Sequence, residues 1–470
     1  MQFTSLFFLF LFLPLCLAVY LLIPSVKAKN AVLLIASLLF YAAGQPQYLP
    51  LLLVSAFINQ YLACGIVPGQ KKTLFLPILF NLLVLIFFKY TNFLLGIFGW
   101  TGADGTGVLK LALPLGISYY TFQLLAYQID IYRNKTAPAS SYWRVLLLIS
   151  MFPKIPMGPI VRYADIESQL DSRKTGPQAI FRGLVRFCVG LGKKVLIADY
   201  VARLIKALSP ANTGLAAWAV AILFVFQLYY DFSGYADMAI GLGRVFGFRY
   251  PENFDLPFAS ASVSELWRRW HMSLGSFFKD YVYIPLGGNR KGRVRQILNL
   301  LVVWLLTGLW HGASWNFVLW GLFFFVLLAL EKLLWPVLEK LPYFVRNLLT
   351  LIAIVIGWVF LAYTDAAGAM SALRAMFAPD VFWSAAVWTK LRGAIPLIVL
   401  CILGCTVLPR WIAMIWSSLF AERQRGRSLS VTPKRAFYAV SLMIFALVLL
   451  YFSTVSIVGL GTSNSIYANF

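Results

Sequence analysis

Histidine is the side chain best suited to acid–base chemistry in this sequence, and only two histidines, His271 and His311, occur in its 470 residues. His311 lies in the run 301–316, which is as apolar as any segment of the chain. A neutral imidazole, with a pKa of about 6.5, can accept a proton at physiological pH without a metal. An ionisable group in such a run is energetically unfavourable and predicts a functional site. The alternative is a histidine that only packs and bonds a backbone carbonyl.

His271 lies in a segment that interrupts the apolar pattern, residues 262–295. The stretch Ser262–Glu265 matches a capping box, so a helix is predicted to begin there and to continue through Phe278. On that helix Arg268 and His271 share a face, and paired arginines flanked by tryptophans suit a helix at the membrane interface. We expect an interfacial or re-entrant segment. The alternative is a plain interfacial anchor without chemistry.

Two carboxylates, Asp231 and Asp237, lie inside a third apolar run. At a spacing of six residues on a helix they point to different faces, so they do not form a close acid–base pair. Asp237 aligns with Arg244, and we expect it to form a structural ion pair with Arg244 or with another arginine.

Several other catalytic and binding signatures are absent from the sequence. The five cysteines form no Cys-x-x-Cys pair, and two histidines 40 positions apart do not resemble a zinc-ligand cluster. No Walker A loop, dinucleotide fingerprint or Gly-x-Ser-x-Gly elbow is present. We therefore predict no metal site and no tightly bound cofactor, which leaves a histidine base in a membrane cavity.

The composition predicts the elements that position these side chains. The chain is 61% hydrophobic and 12% charged, whereas an ordinary soluble domain is about 25% charged. It is predicted to be an all-α polytopic membrane protein, since lipid offers no partner to an open strand edge. The net charge of +23 is attributed to basic loops on anionic cytoplasmic lipid, as at 290–295 and 423–435, rather than to nucleic-acid binding.

The apolar stretches suggest about 11–13 membrane or re-entrant helices. The first has no basic start and is predicted to be a retained membrane helix rather than a signal peptide. Prolines and glycines inside several stretches, such as Pro114, Gly116 and Pro153, predict broken helices around a central cavity or tunnel. We expect one domain, residues 1–470, with a polar loop at 101–107. The candidate segments are 3–23, 31–43, 48–67, 74–98, 111–130, 143–161, 180–206, 214–243, 296–311, 313–335, 344–363, 394–418 and 436–460.

Several longer motifs occur in the chain, namely Asp-Phe-Ser-Gly-Tyr-Ala-Asp within 231–253, Trp-Arg-Arg-Trp-His within 267–288, Trp-His-Gly within 308–321, and two upstream stretches at 114–123 and 158–163. These motifs resemble those of the membrane-bound O-acyltransferase (MBOAT) family. The likeness is greatest to the membrane subunits of alginate O-acetylation and weaker to the D-alanyl transferases of lipoteichoic acid. It is clear over about residues 3–321 and loose over the last third.

This resemblance implies an O-acyltransferase in which His311 is catalytic and His271 is the second family histidine. It implies an acyl group, most readily acetyl, that passes from a cytoplasmic thioester such as acetyl-CoA through a tunnel in a bacterial inner membrane. An extracytoplasmic acetyltransferase- or esterase-like partner protein would then place it on a polysaccharide. His271 and Arg268 would position the donor or stabilise the oxyanion. A further histidine of alginate-type members is absent near Phe324, so we infer that it is dispensable. The side chains expected to contact substrate are Trp267, Arg268, Trp310, Asn316, Asp231 and Tyr235.

Two other classes of protein share parts of this pattern. A transporter or flippase of a lipid-linked or acyl substrate also has broken helices and polar groups at mid-membrane depth, but paired repeats, its usual signature, are not found. A scaffold subunit would carry both histidines as inert side chains. The O-acyltransferase interpretation is favoured over both because of the motifs.

Overall fold

The described part of the chain leaves out two of the predicted features. The predicted polar loop at 101–107 and residues 423–432 of the second basic cluster lie outside the described residues. The computed structural model describes residues 1–100, 108–109, 111–419 and 433–462.

Helices account for the regular structure of the described residues, which contain no β-strand and one isolated bridge, Phe254–Trp270. π-Helical turns at Phe8–Phe12, Lys193–Ala198 and Lys279–Tyr283 adjoin α-helices. The α-helices are α1 (Leu13–Leu22), α2 (Val26–Ala42), α3 (Leu49–Cys64), α4 (Lys71–Ile97), α5 (Ile117–Tyr132), α6 (Tyr142–Ser150), α7 (Tyr163–Asp171), α8 (Pro177–Gly192), α9 (Asp199–Leu208), α10 (Gly214–Val245), α11 (Val263–Arg269), α12 (Met272–Phe278), α13 (Gly292–His311), α14 (Trp315–Leu338), α15 (Tyr343–Ala362), α16 (Ala366–Phe377), α17 (Ala385–Gly393), α18 (Ile395–Gly404), α19 (Leu408–Leu419) and α20 (Pro433–Leu460).

Six helices of the described residues are long and apolar enough to cross a membrane, namely α4, α10, α13, α14, α15 and the Ala436–Leu460 part of α20. The pair α17 and α18, bent by 59°, would make a seventh. The predicted all-α multi-pass membrane protein is confirmed. More segments were predicted from the sequence because some of the apolar stretches fold as shorter or broken helices.

The predicted segment 143–161 shows why such stretches break. Its helix, α6, ends at Ser150, and an irregular segment with three prolines follows. This segment packs against the start of α5, where a side chain on Gly116 (φ 70°) would collide with the carbonyl oxygen of Ile155. Lys154, 1% exposed, donates from Nζ to the side-chain oxygen of Gln123 at 2.9 Å. Irregular backbone is tolerated at membrane depth when protein surrounds it in this way.

Helix α10 is the most buried of the six candidate spans, and it packs very closely against α8. Gly183 faces Gly241 and Gly190 faces Gly234, and a side chain at any of these four positions would collide with the backbone of the opposite helix. Asp237 of α10 forms ion pairs that join the two helices. As predicted, it pairs with an arginine, which is Arg186 (2.8 Å) rather than Arg244.

Candidate active site

His311 is the last residue of α13, where Gly312 ends the helix. The helix can approach α14 closely because Gly308 faces Gly321, and a side chain on either would collide with backbone of the other helix. As a result, the buried imidazole of His311 packs edge-on against Trp320 with ring centroids 4.7 Å apart.

Two side chains of α4 hold the turn that carries His311. Lys89 donates from Nζ to the carbonyl oxygen of Trp310, and the Tyr90 hydroxyl donates to the carbonyl oxygen of Leu309 at 2.6 Å. The last carbonyls of a helix lack partners within the helix, and a cation there also interacts favourably with the helix dipole. Neither residue was predicted from the sequence. A lysine inside the apolar segment 74–98 was the signal that could have identified this contact.

His271 lies at a break in a helix that the sequence predicted to be continuous. The start is as predicted, because Ser262 Oγ accepts a hydrogen bond from the backbone N–H of Glu265 at 3.0 Å. However, Trp270 and His271 separate α11 from α12, and His271 has a φ of 45°, which is uncommon for a residue other than glycine. The prediction that Arg268 and His271 share a helical face is therefore wrong.

A long-range backbone pairing accounts for this break. The backbone N–H of Asp255 donates to the carbonyl of Arg269 at 2.9 Å, and the N–H of Met272 donates to the carbonyl of Asn253 at 3.0 Å. These bonds flank the Phe254–Trp270 bridge. Local capping and periodicity favour a continuous helix, but the pairing replaces helical hydrogen bonds with bonds to a segment that precedes the cap.

The His271 imidazole is also enclosed. It is 2% exposed and packs edge-on against Phe232 at 4.7 Å and against Trp310 at 5.7 Å between ring centroids. His271 lies outside the six candidate spans, and burial lowers its pKa to about 3. The imidazole is therefore neutral at physiological pH.

Both histidines line one cavity of about 510 Å³. Its inner wall is largely aromatic and aliphatic, while Arg268, Lys279 and Lys332 are exposed and line it as well. A neighbouring cavity of about 490 Å³ shares Arg268 and Lys332 and adds Arg293. We call these four cations, Arg268, Lys279, Arg293 and Lys332, the basic mouth. The arrangement combines two imidazoles in an apolar cavity with an entrance that attracts anions.

The structure brings together some of the predicted site residues and separates others. Four of them, His271, His311, Trp267 and Arg268, line the cavity. Trp310 packs against both imidazoles.

The other three predicted contacts are not among the residues that line this cavity. Asn316 donates from Nδ2 to the backbone carbonyls of Phe360 and Tyr363 (3.0 and 2.7 Å). Asp231 forms a buried ion pair with Lys194 at 2.8 Å. Tyr235 stacks on Phe3 with ring centroids 4.9 Å apart. Substrate contact by these three residues stays a prediction. In the structure each of them interacts with another part of the protein, through hydrogen bonds, an ion pair or ring stacking.

No cluster of three or more histidine, cysteine, aspartate or glutamate side chains suited to a metal occurs in the parts of the chain that the structure covers. The described helices and the cavity define a multi-pass membrane protein with two buried imidazoles that line one cavity. The sequence profile of the membrane-bound O-acyltransferase family matches residues 133–373, a range that contains both histidines and the whole cavity lining. The chain belongs to this family, and it is an O-acyltransferase.

Individual relatives agree with this assignment. The probable alginate O-acetylase AlgI of Azotobacter vinelandii is 39% identical over 393 residues, which cover 80% of this chain and 78% of that protein. The peptidoglycan O-acetyltransferase of Helicobacter pylori is 34% identical over 418 residues, covering 80% and 79%. The teichoic acid D-alanyltransferase of Bacillus subtilis is 30% identical over 271 residues, covering 53% and 67%. A transporter without acyl chemistry is therefore not supported.

Proposed function

We propose that this protein moves an acetyl group from a thioester on the cytoplasmic side of a bacterial inner membrane towards an extracytoplasmic polysaccharide, with His311 as the general base. The observation that carries the proposal is the shared cavity, in which His311 and His271 lie beyond a basic entrance. The whole chain acts as one membrane-embedded domain, in which residues 262–295 form an interfacial or re-entrant segment.

His311 takes the proton of the acceptor hydroxyl while the hydroxyl oxygen attacks the thioester carbonyl. The tetrahedral intermediate then collapses, the carbon–sulfur bond breaks, and the thiolate leaves and recovers the proton from His311. Trp267 lines the same cavity, and its indole N–H is buried without a hydrogen-bond partner among the described residues. It is suited to donate to the carbonyl oxygen as negative charge develops there.

The basic mouth supports an anionic donor. Acetyl-CoA, or another acyl thioester that carries phosphate, would place its phosphates near Arg268, Arg293 and Lys332 and its acyl end near the histidines. The two cavities adjoin, since they share lining residues, and an extended ligand that occupies both would run from the basic mouth to the histidines. The donor is a substrate, and no tightly bound cofactor is required for this reaction.

The identity of the acceptor is proposed from the named activities of the relatives. Two of them are named for O-acetylation of alginate and of peptidoglycan. We propose by analogy that a polysaccharide of the cell envelope or an exopolysaccharide is the final acceptor. An extracytoplasmic acetyltransferase- or esterase-like partner protein would deliver the acetyl group to it.

The test is acetyl transfer by the full chain in lipid nanodiscs, with isotope-labelled acetyl-CoA, a polysaccharide and the candidate partner. We expect His311→Gln to lower the rate about 100- to 10,000-fold, the range of general acid–base catalysis. Arg144→Gln, which removes an ion pair with Asp171 at the surface, is the matched control and should transfer normally. A His311→Gln variant with a rate near that of the wild type would refute the general base.

A further inference from the structure

The orientation of the Asn253 side chain is determined by its neighbours. Its Oδ1 atom accepts hydrogen bonds from the backbone N–H of Ser273 at 3.1 Å and from the Ser273 hydroxyl at 2.9 Å. A backbone N–H can only donate, so the atom that faces Ser273 must be the oxygen and not the nitrogen of the amide. Asn253 is 1% exposed, and its Nδ2 is buried without a hydrogen-bond partner among the described residues, so the hydrogen bonds to Oδ1 alone fix the orientation of the amide.

The same oxygen lies 3.2 Å from Nδ1 of His271. An amide oxygen cannot donate, so a hydrogen bond between these atoms requires the proton of the neutral imidazole to be on Nδ1. The lone pair is then on Nε2, which is buried without a hydrogen-bond partner among the described residues.

The backbone around His271 holds the ring in the same place. The carbonyl of Asn253 accepts from Met272, and His271 itself has the left-handed φ of 45°. Such a conformation persists only where the surroundings maintain it. Residue 253 therefore controls both the position of the ring, through its backbone, and the location of the ring proton, through its side chain.

We propose that Asn253 is a positioning residue that keeps His271 in the Nδ1–H tautomer, so that His271 presents a hydrogen-bond acceptor, not a donor, to the ligand in the cavity. The proposal rests on the proposed function, because it gives His271 a role in the same reaction. It decides between the two roles expected for His271, since an Nε2 without a proton cannot stabilise an oxyanion.

The ligand group that His271 recognises is accordingly an O–H or N–H donor. The reacting hydroxyl gives its single proton to His311, so the donor to His271 is a different group. A second hydroxyl of a sugar-like acceptor and an amide N–H of a thioester donor have this chemistry. The two sources are distinguished by the KM for the acyl donor and the KM for the acceptor. Loss of the hydrogen bond to His271 should raise only the KM of the substrate that carries the donating group.

The first measurement is the tautomer itself. The chain contains only two histidines, so ¹⁵N-histidine labelling of protein without a polyhistidine tag gives two imidazole signal sets, and His311→Gln leaves that of His271 alone. We expect a protonated Nδ1 and an unprotonated Nε2. A protonated Nε2 in the wild type or in His311→Gln would overturn the proposal. This readout needs no turnover, so it is independent of whether His311 is the base.

Variants of Asn253 provide the second measurement. Asn253→Ala should shift the proton partly or wholly to Nε2 and lower kcat/KM about 10- to 100-fold, by analogy with the loss when the hydrogen-bond partner of a metal-ligating histidine is removed. Asn253→Asp keeps an acceptor oxygen for Nδ1 and should retain the Nδ1–H bond. Retention of the wild-type tautomer and kcat/KM in Asn253→Ala would overturn the proposal.

A matched control separates positioning from general destabilisation of this loop. Asn347 donates from Nδ2 to the carbonyls of Phe258 and Ser260, both at 2.8 Å, and does not contact His271. Asn347→Ala should lower thermal stability without moving the His271 proton. If Asn253→Ala does not fold, the tautomers of the wild type and of Asn253→Asp still decide the question.

Discussion

The two histidines of the candidate active site are held in contrasting ways. His311 completes a regular membrane helix, α13, whose last carbonyls are bonded by Lys89 and Tyr90 of α4. His271 lies in a break between two short helices. There Asn253 forms hydrogen bonds with the backbone next to His271 and with the His271 ring. The difference indicates that one imidazole is positioned by helix packing and the other by a single polar side chain. Substitutions should affect the two sites through different mechanisms.

The largest expected effect concerns the histidines themselves. We expect His311→Gln to reduce acetyl transfer about 100- to 10,000-fold, whereas His271→Gln should reduce it about 10- to 100-fold, because only the first removes the proposed base. Steady-state rates in nanodiscs, normalised to folded protein by size-exclusion chromatography, provide the comparison. Equal losses in the two variants would show that the division of roles is wrong.

The helix packing behind His311 can be broken at Gly308. A side chain in Gly308→Val would collide with the carbonyl of Phe317, so α13 and α14 must separate. We expect a loss of at least about 1–3 kcal/mol in stability, together with most of the activity. Gly393→Ala is the control, since no described residue lies within 4 Å of a side chain there. Thermal unfolding in detergent should distinguish the two, and equal melting temperatures would contradict the packing argument.

A milder test concerns the α4 contacts. Lys89→Met removes an amine that donates to the Trp310 carbonyl and to the Ser118 hydroxyl, whereas Tyr90→Phe removes one donor, to the Leu309 carbonyl. A hydrogen bond contributes about 0.5–1.5 kcal/mol, so the loss of two bonds should cost more than the loss of one. Lys89→Met should therefore lower stability and kcat more than Tyr90→Phe. The reverse order, measured by thermal shift and initial rates, would show that Lys89 does not hold the His311 turn.

The smallest expected effect is at the basic mouth, whose residues do not include those that hold the two histidines in place. Arg268→Gln or Lys332→Gln should raise the KM for a phosphate-bearing donor about 2- to 5-fold with kcat preserved, because exposed charge pairs contribute about 0–1 kcal/mol. Added salt should reduce the difference from the wild type. Arg144→Gln, at a distant surface ion pair, is the control. A change in kcat without a change in KM would argue against donor binding there.

Much of the architecture could be predicted because it follows from local properties of the chain. The lengths of the apolar stretches predict the bounds of α10, α13 and α14 within a few residues. The reason is that a segment that crosses the lipid must be apolar over a fixed length and must satisfy its backbone hydrogen bonds within a helix. The Ser262 cap was predictable for the same reason, as capping involves neighbours in sequence. The break at His271 was not, because it depends on pairing with residues 253–255, which local rules do not include.

The site shows the same division. The sequence alone determined that this is a membrane protein with two histidines, one of them in an apolar run, and its motifs indicated which family it resembles. Only the tertiary structure decided that residues 40 positions apart line one cavity, that Lys89 supports the His311 turn, and that Asn253 bonds His271. The physical reason is that hydrophobicity and capping act along the chain, whereas the location of a proton or the end of a helix depends on partners that folding brings from distant positions.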